Sequence, residues 1–365
     1  MINFDFIPSR QISLYLIRLF LTRSAAVLVL LVLVLMALDL LGESGKILRV
    51  PGNGEAELWR YVSLRVPLLI QRFLPFSVLL GTLVVFTGLS QHSEVVAMKA
   101  SGLSAHQILA PLVIASLGIA ALAFAFNERV AVRSARTVNA WSDNDYEPLR
   151  DSNELQSNVW LTTGGDFVRA RLLAGQGPEL ILRDVTIYER SGPTLQRVTD
   201  VGLARQQGRR WQFDNVRTYD ANMNLVRRER TAFGLDGVTP DRFTLAKVQP
   251  EEHAFGNLRD SIAELEAAGR TTDEARSGLW HKLSGPLSIV LMPLLAALAA
   301  FGLARSGQVL LRAVAGMALG FAYFVVDNLS LALGNVGAYP AWLAAFAPVF
   351  LFLLIGESLL IRSEE

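Results

Sequence analysis

The chain has 365 residues, 52% of them hydrophobic, and a formal net charge of +1. A near-neutral balance excludes bulk electrostatic attraction to nucleic acid, and a sequence without cysteine excludes disulfides, thiolate metal sites and cysteine catalysis. The apolar residues gather in blocks on either side of a polar middle, which is the pattern of a membrane protein carrying an inserted domain.

A helical span needs about 20 mostly apolar residues. The first candidate covers about 22–42. Arg18 and Arg23 precede its run from Ala25 to Leu38, and no small-residue cleavage site follows, so it reads as an uncleaved span and not a secretory signal. The loop after it is basic, with Lys46, Arg49, Arg60 and Arg65. The second and third spans fall at about 66–89 and 107–127.

Between them lies the short polar break from Ser90 to Gly102. Ser90 is placed to cap a short helix, with Glu94 near its positive N-terminal end and Met98 four residues on, on the same face. Gly102 suits a left-handed stop, and Ser104-x-x-Gln107 reads as a capping box opening the third span. A short amphipathic helix held between two spans is a shape that a cytosolic partner can grip.

The polar middle, about 128–280, has a core at 155–248 that reads as strands. Asp166 to Leu172 and Val185 to Glu189 alternate apolar and polar residues, and turn signals recur at Thr163 to Asp166, Ser191-Gly192-Pro193, Gln207-Gly208 and Asp236-Gly237. That spacing suggests an antiparallel sandwich or jelly roll. Helical connectors are expected at Asn127 to Tyr146, at Asn257 to Ala268 with Asn257 as its cap and Gly269 as its stop, and at Thr271 to Leu283. Three more spans follow at about 283–304, 309–333 and 339–361.

Basic residues in short loops set the orientation. Arg10, Arg18 and Arg23 precede the first span, His92 and Lys99 sit in the second loop, Arg305 and Arg312 flank the fourth loop, and Arg362 follows the sixth span. Both termini are therefore expected on the cytoplasmic side and the middle region outside. The basic first loop conflicts with the rule, which points to a task for those bases outside the membrane. Asp39, Arg65, Arg72 and Asp327 lie inside or beside apolar runs, where charges usually face a bundle interior or an aqueous cavity. Antiparallel spans allow Arg72 to pair with Asp39.

No nucleotide site is visible, because Gly45-Lys46-Ile47 lacks the earlier glycine and the hydroxyl residue of a phosphate-binding loop. His92, His106, His253 and His281 show no metal-ligand spacing, and no nucleophile elbow occurs. The chain reads as a non-enzyme with no metal or cofactor of its own.

Several stretches resemble the LptF/LptG family, the paired permease subunits of the lipopolysaccharide export transporter, with more likeness to its LptG branch. They are Leu74 to Gly81, Ser93-Glu94 with Ala100 to Ser104, Trp280-His281-Lys282, Pro286-Leu287 and Gly320 to Asp327. The resemblance covers both membrane blocks and is weak in the middle. It implies an α-helical membrane protein of the bacterial inner membrane. Six spans in two groups of three would enclose an all-β, jellyroll-like periplasmic domain, with blocks at 1–127, 128–280 and 281–365.

The resemblance also implies roles. The segment 90–102 would be a coupling helix docked on a separate LptB-like ATPase dimer that binds ATP and Mg, with Glu94, Val95, Met98, Ala100, Ser101 and Gly102 at the contact. Lys46, Arg49, Arg65 and Arg72 are the candidates for lipid A phosphates, since guanidinium and ammonium groups bind phosphate by charge-assisted hydrogen bonds. Family members often carry lysines just after the first span, where this chain has Gly42-Glu43. Leu31, Leu35 and Leu38 on the first span and Phe321, Phe324 and Val325 on the fifth would line an acyl-chain cavity facing an LptF-like partner. Ala313, Gly316 and Gly320 would allow close helix contact. LptC- and LptA-like periplasmic jellyrolls would receive the lipid. The alternatives are an LptF-like subunit, a four-span MacB- or LolC-type mechanotransmission permease, and a non-transporting envelope scaffold.

Overall fold

The computed structural model describes residues 8–147, 156–163, 165–175, 180–192, 194–208, 210–240, 243, 248–267, 270–301 and 309–364. Pro193, Gly269 and Arg305 of the sequence reading lie outside them. The chain divides into two compact units. One holds residues 1–39, 66–131 and 271–365; the other holds 40–65 and 132–270.

The first unit is built from long helices. These are α1 (Arg10–Arg49), α2 (Glu55–Gln91), α3 (Glu94–Ala100), α4 (Ala105–Phe126), α7 (Asp273–Phe301), α8 (Val309–Asn335) and α9 (Ala341–Glu364); α1 and α2 also enter the second unit. All but α3 contain a stretch long and apolar enough to cross a bilayer, giving six spans among the described residues, as expected. Their core joins Leu16 and Phe20 of α1 with Leu79 and Phe86 of α2, Ile108 of α4, Leu295 of α7, Tyr323 of α8 and Phe352 of α9. Lipid tails give no hydrophobic drive between helices, so close contact has to come from small residues. A Cβ on Gly81 would run into Ser24 of α1, with its Cα 2.6 Å away. One on Gly320, the small residue singled out in the sequence, would run into the Leu79 side chain.

A π-helical turn, Asn127–Ala131, ends α4 and leads into α5 (Val132–Asp143). The second unit then forms β1 (Gln156–Thr163), β2 (Asp166–Ala174), β3 (Ile181–Ser191), β4 (Thr194–Gln207), β5 (Arg210–Asp220) and β6 (Leu225–Gly234), followed by α6 (Phe255–Ala267). The strands pair antiparallel in sequential order as one six-stranded sheet, a meander. Two side-chain ladders define its apolar face: Leu161, Val168 and Ile187, and Val159, Ala170, Val185, Val201 and Val216. Trp211 closes one end, donating from Nε1 to the Val238 carbonyl at 2.7 Å and meeting Phe243 edge-on at 5.4 Å. At the β5–β6 turn Asp220 accepts from the Asn224 and Asn222 backbone N–H groups at 2.8 and 3.0 Å, and these bonds, Asn224 foremost, hold its carboxyl below the usual carboxylate range.

Residues 40–65, grouped with the membrane block by the apolar pattern, sit in the second unit for a specific reason. Glu43 accepts a 2.8 Å hydrogen bond from Tyr146 Oη, and Asn53 Nδ2 donates to the Tyr146 carbonyl at 2.9 Å and to that of Ile47 at 3.1 Å. Tyr146 packs edge-on against Tyr61 and Trp141, and the Arg60 guanidinium lies 5.0 Å over the Trp141 ring. The cap of α6 also differs from expectation: the helix starts at Phe255, so Asn257 falls inside its first turn.

Candidate functional site

The segment between α2 and α4 is fixed by local chemistry at both ends. The α2 helix runs on through Gln91, so Ser90 lies inside it and does not cap α3. Ser93 precedes α3 in a left-handed conformation (φ 58°) without a side-chain cap. The other end follows the sequence reading. Gly102 is left-handed at φ 91°, its N–H donates to the Lys99 carbonyl, and the Leu103 N–H donates to that of Met98 at 3.2 Å. The Ser104 side chain accepts from the Gln107 N–H at 3.1 Å while Gln107 Oε1 accepts from the Ser104 N–H at 3.0 Å.

This frame sets the rotation of α3. Val95, assigned above to the docking contact, is only 7% exposed and packs in the membrane-unit core, because that side of the helix meets the apolar ends of the neighbouring spans. Met98 packs partly against the same core. Val96, at 66% exposed, takes the outward place instead, beside exposed Lys99, Ala100, Ser101 and Gly102. Glu94 is half-buried and accepts a 3.0 Å hydrogen bond from Tyr15 Oη of α1.

The four candidate phosphate ligands divide between the units. Lys46 Nζ is held by Glu43 at 2.8 Å with most of its side chain in solvent; Arg49 is exposed and Arg65 half-buried. Glu43 thus anchors both Lys46 and Tyr146. Arg72 belongs to the first unit and is exposed; among the described residues it takes no ion-pair partner, so the Asp39–Arg72 pair is not formed.

The expected cavity walls are the least covered spans of the six, with 11% of the apolar stretch buried in α1 and 22% in α8. Leu38, Phe321 and Val325 are exposed, and Leu31, Leu35 and Phe324 are half-buried. In α8 the exposed residues Met317, Phe321, Val325 and Leu329 follow each other at four-residue intervals, one continuous apolar stripe.

Sequence reasoning missed a buried ion pair. Lys282 Nζ lies 3.5 Å from Glu128 Oε1, with the side chains 7% and 18% exposed. Glu128 stands in the π-helical turn, a local widening often found at functional positions. The signal lay in the Trp280-His281-Lys282 stretch, whose lysine sits beside an apolar run. Asp327 is half-buried beside His281 and Tyr323, facing the bundle as its sequence position suggested. Among the described residues no cluster of His, Asp and Glu could hold a metal ion.

Two groups of three spans separated in the chain by an antiparallel β domain, with a short helix between the second and third spans, define a helical membrane protein with an inserted β domain. The chain matches the family of lipopolysaccharide export system permeases LptF/LptG over residues 14–362. It is 28% identical over 311 residues to the lipopolysaccharide export system permease protein LptG of Escherichia coli K12, an alignment covering 83% of this chain and 84% of that one. It is 25% identical over 333 residues to the protein of the same name from Haemophilus influenzae, covering 87% and 90%. The chain belongs to the LptF/LptG family. Membership and six spans set aside the four-span mechanotransmission reading.

Proposed function

We propose that this chain is the LptG-like permease subunit of an ABC transporter that extracts lipopolysaccharide from the inner membrane and passes it to a periplasmic bridge. It pairs with an LptF-like permease, and both sit on an LptB-like ATPase dimer that binds ATP and Mg. LptC- and LptA-like proteins take the lipid onward. Both termini face the cytoplasm and the sheet domain faces the periplasm, following the basic loops.

The observation that carries the coupling is α3. Its core side is fixed by Val95 while Val96, Lys99 and Ser101 face outward between two spans. Closure of the ATPase dimer pushes on that face, and the capping box joins it to α4 without a flexible linker. The apolar stripes of α1 and α8 take the acyl chains, and Lys46, Arg49, Arg65 and Arg72 take the phosphates. Neutralising Lys46, Arg49 and Arg72 together to Gln should reduce photocrosslinking to lipid A at least about tenfold, since each charge-assisted bond contributes about 1.5–3 kcal/mol. Unchanged crosslinking would move the phosphate site elsewhere.

A further inference from the structure

The second face of the β-sheet carries a cross-strand row that the permease reading does not use. Register places Trp160 of β1 opposite Arg169 of β2, then Thr186 of β3, Asp200 of β4, Arg217 of β5 and Arg228 of β6. Strands lie about 4.8 Å apart, so the row runs about 24 Å across the whole sheet. Its sequence neighbours, among them Val168, Val185, Val201 and Val216, point the other way into the apolar cluster.

A cavity of about 350 Å³ opens on this row, lined by Arg169, Arg171, Asp184, Thr186, Asp200 and Arg217. Asp184 (φ 48°) and, one strand beyond Gly202, Asn215 (φ 60°) hold left-handed backbone there, which kinks the strands and re-aims their side chains. Two of the carboxylates near it are already engaged: Asp145 by Arg171 at 2.6 Å, and Asp200 by the Thr186 hydroxyl at 3.0 Å.

Arg217 and Arg228 stand directly opposite each other, and both are exposed. Like charges facing each other across a ladder oppose folding. Asp200 stands opposite Arg217 on its other side, and among the described residues neither Arg217 nor Arg228 forms an ion pair. An anion bridging the two arginines would relieve their repulsion.

The other end of the row has a different character. Trp160 is 48% exposed, stacks on Tyr188 at 5.9 Å and 15°, and has the Arg169 guanidinium 5.6 Å from its ring. A free anion has no use for an exposed indole. A chain of sugars does, because one ring packs its C–H face on the aromatic surface while the hydroxyls of the next rings along the row reach the Thr186 and Asp200 groups.

We propose that this face of the sheet binds a phosphorylated oligosaccharide several sugars long, with one ring on Trp160 and a phosphate between Arg217 and Arg228. The inference rests on the lipopolysaccharide reading for the source of such a ligand and extends it from the lipid to the carbohydrate.

The test uses the full-length chain in lipid nanodiscs. The probes are the oligosaccharide of lipopolysaccharide freed of its acyl chains, and the same oligosaccharide after removal of its phosphates. Wild type should bind the phosphorylated form at least about tenfold more tightly. The R217Q/R228Q double variant should lose that preference with no fall in thermal stability, since the facing charges oppose the fold. Trp160→Ala should weaken both forms alike. Equal binding of the two forms by wild type, or full binding by R217Q/R228Q, would overturn the inference. Copurification of intact lipopolysaccharide with the wild-type chain reads the export assignment separately: if it persists while the oligosaccharide fails to bind, only the saccharide site falls.

Discussion

Glu94→Lys is expected to abolish ATP-driven lipid export while leaving membrane insertion intact. The wild-type carboxylate sits at the first position of α3, where the helix end favours negative charge, and accepts the Tyr15 hydroxyl at 3.0 Å. Lysine reverses both terms, which together cost the local structure about 1–2 kcal/mol. On the proposed docking of Glu94 against the ATPase, the loss at that interface is larger. Removing one member of a desolvated charge pair costs about 2–5 kcal/mol, and reversal adds repulsion. The measurement is the amount of ATPase retained on the purified permease pair, with export assayed in the same membranes. Tyr15→Phe separates the terms, because it removes the internal bond alone and should retain the ATPase. Normal export by the Glu94→Lys variant would exclude a docking role for this carboxylate.

Lys282→Met is expected to destabilise the membrane unit by about 1.5–3 kcal/mol, because it removes the cation 3.5 Å from a Glu128 carboxylate that solvent barely reaches. Thermal unfolding in detergent should show the transition several degrees lower. Adding Glu128→Gln to the same chain should restore at least half of the loss, since the second change removes the charge that Lys282 faces. A single variant as stable as wild type would mean that the pair does not join the π-helical turn to α7. The position matters for function as well as for stability. The turn ends the same helix that the capping box opens, so on the proposed coupling the force that enters at Ser104 would leave α4 where Glu128 meets α7.

The features legible in the sequence were those written in local periodicity. Six apolar runs of span length, the stop at Gly102, the Ser104–Gln107 box and the alternation of Asp166 to Leu172 each depend on residues within a turn or a strand of one another. The rotation of α3 was not legible. A seven-residue helix has too little pattern to choose between Val95 and Val96, and the surrounding core makes the choice. Ser90 and Ser93 are chemically equivalent as caps, and only the continuation of α2 through Gln91 removes the first. Alternation identified strands but carries no order, so the meander was not distinguished from a two-sheet arrangement. The Glu128–Lys282 pair and the anchoring of Tyr146 by Glu43 join segments far apart in the chain; the sequence marks Lys282 beside an apolar run but carries no signal for which residue it meets.

The central claim is that this permease moves only when a separate ATPase drives it. The direct measurement is lipopolysaccharide release from proteoliposomes holding the chain with its partner permease, with and without the ATPase and ATP. Release should require the ATPase and ATP together and be absent from the chain alone. Extraction at full rate by this chain alone, with no ATPase in the vesicles, would contradict the account.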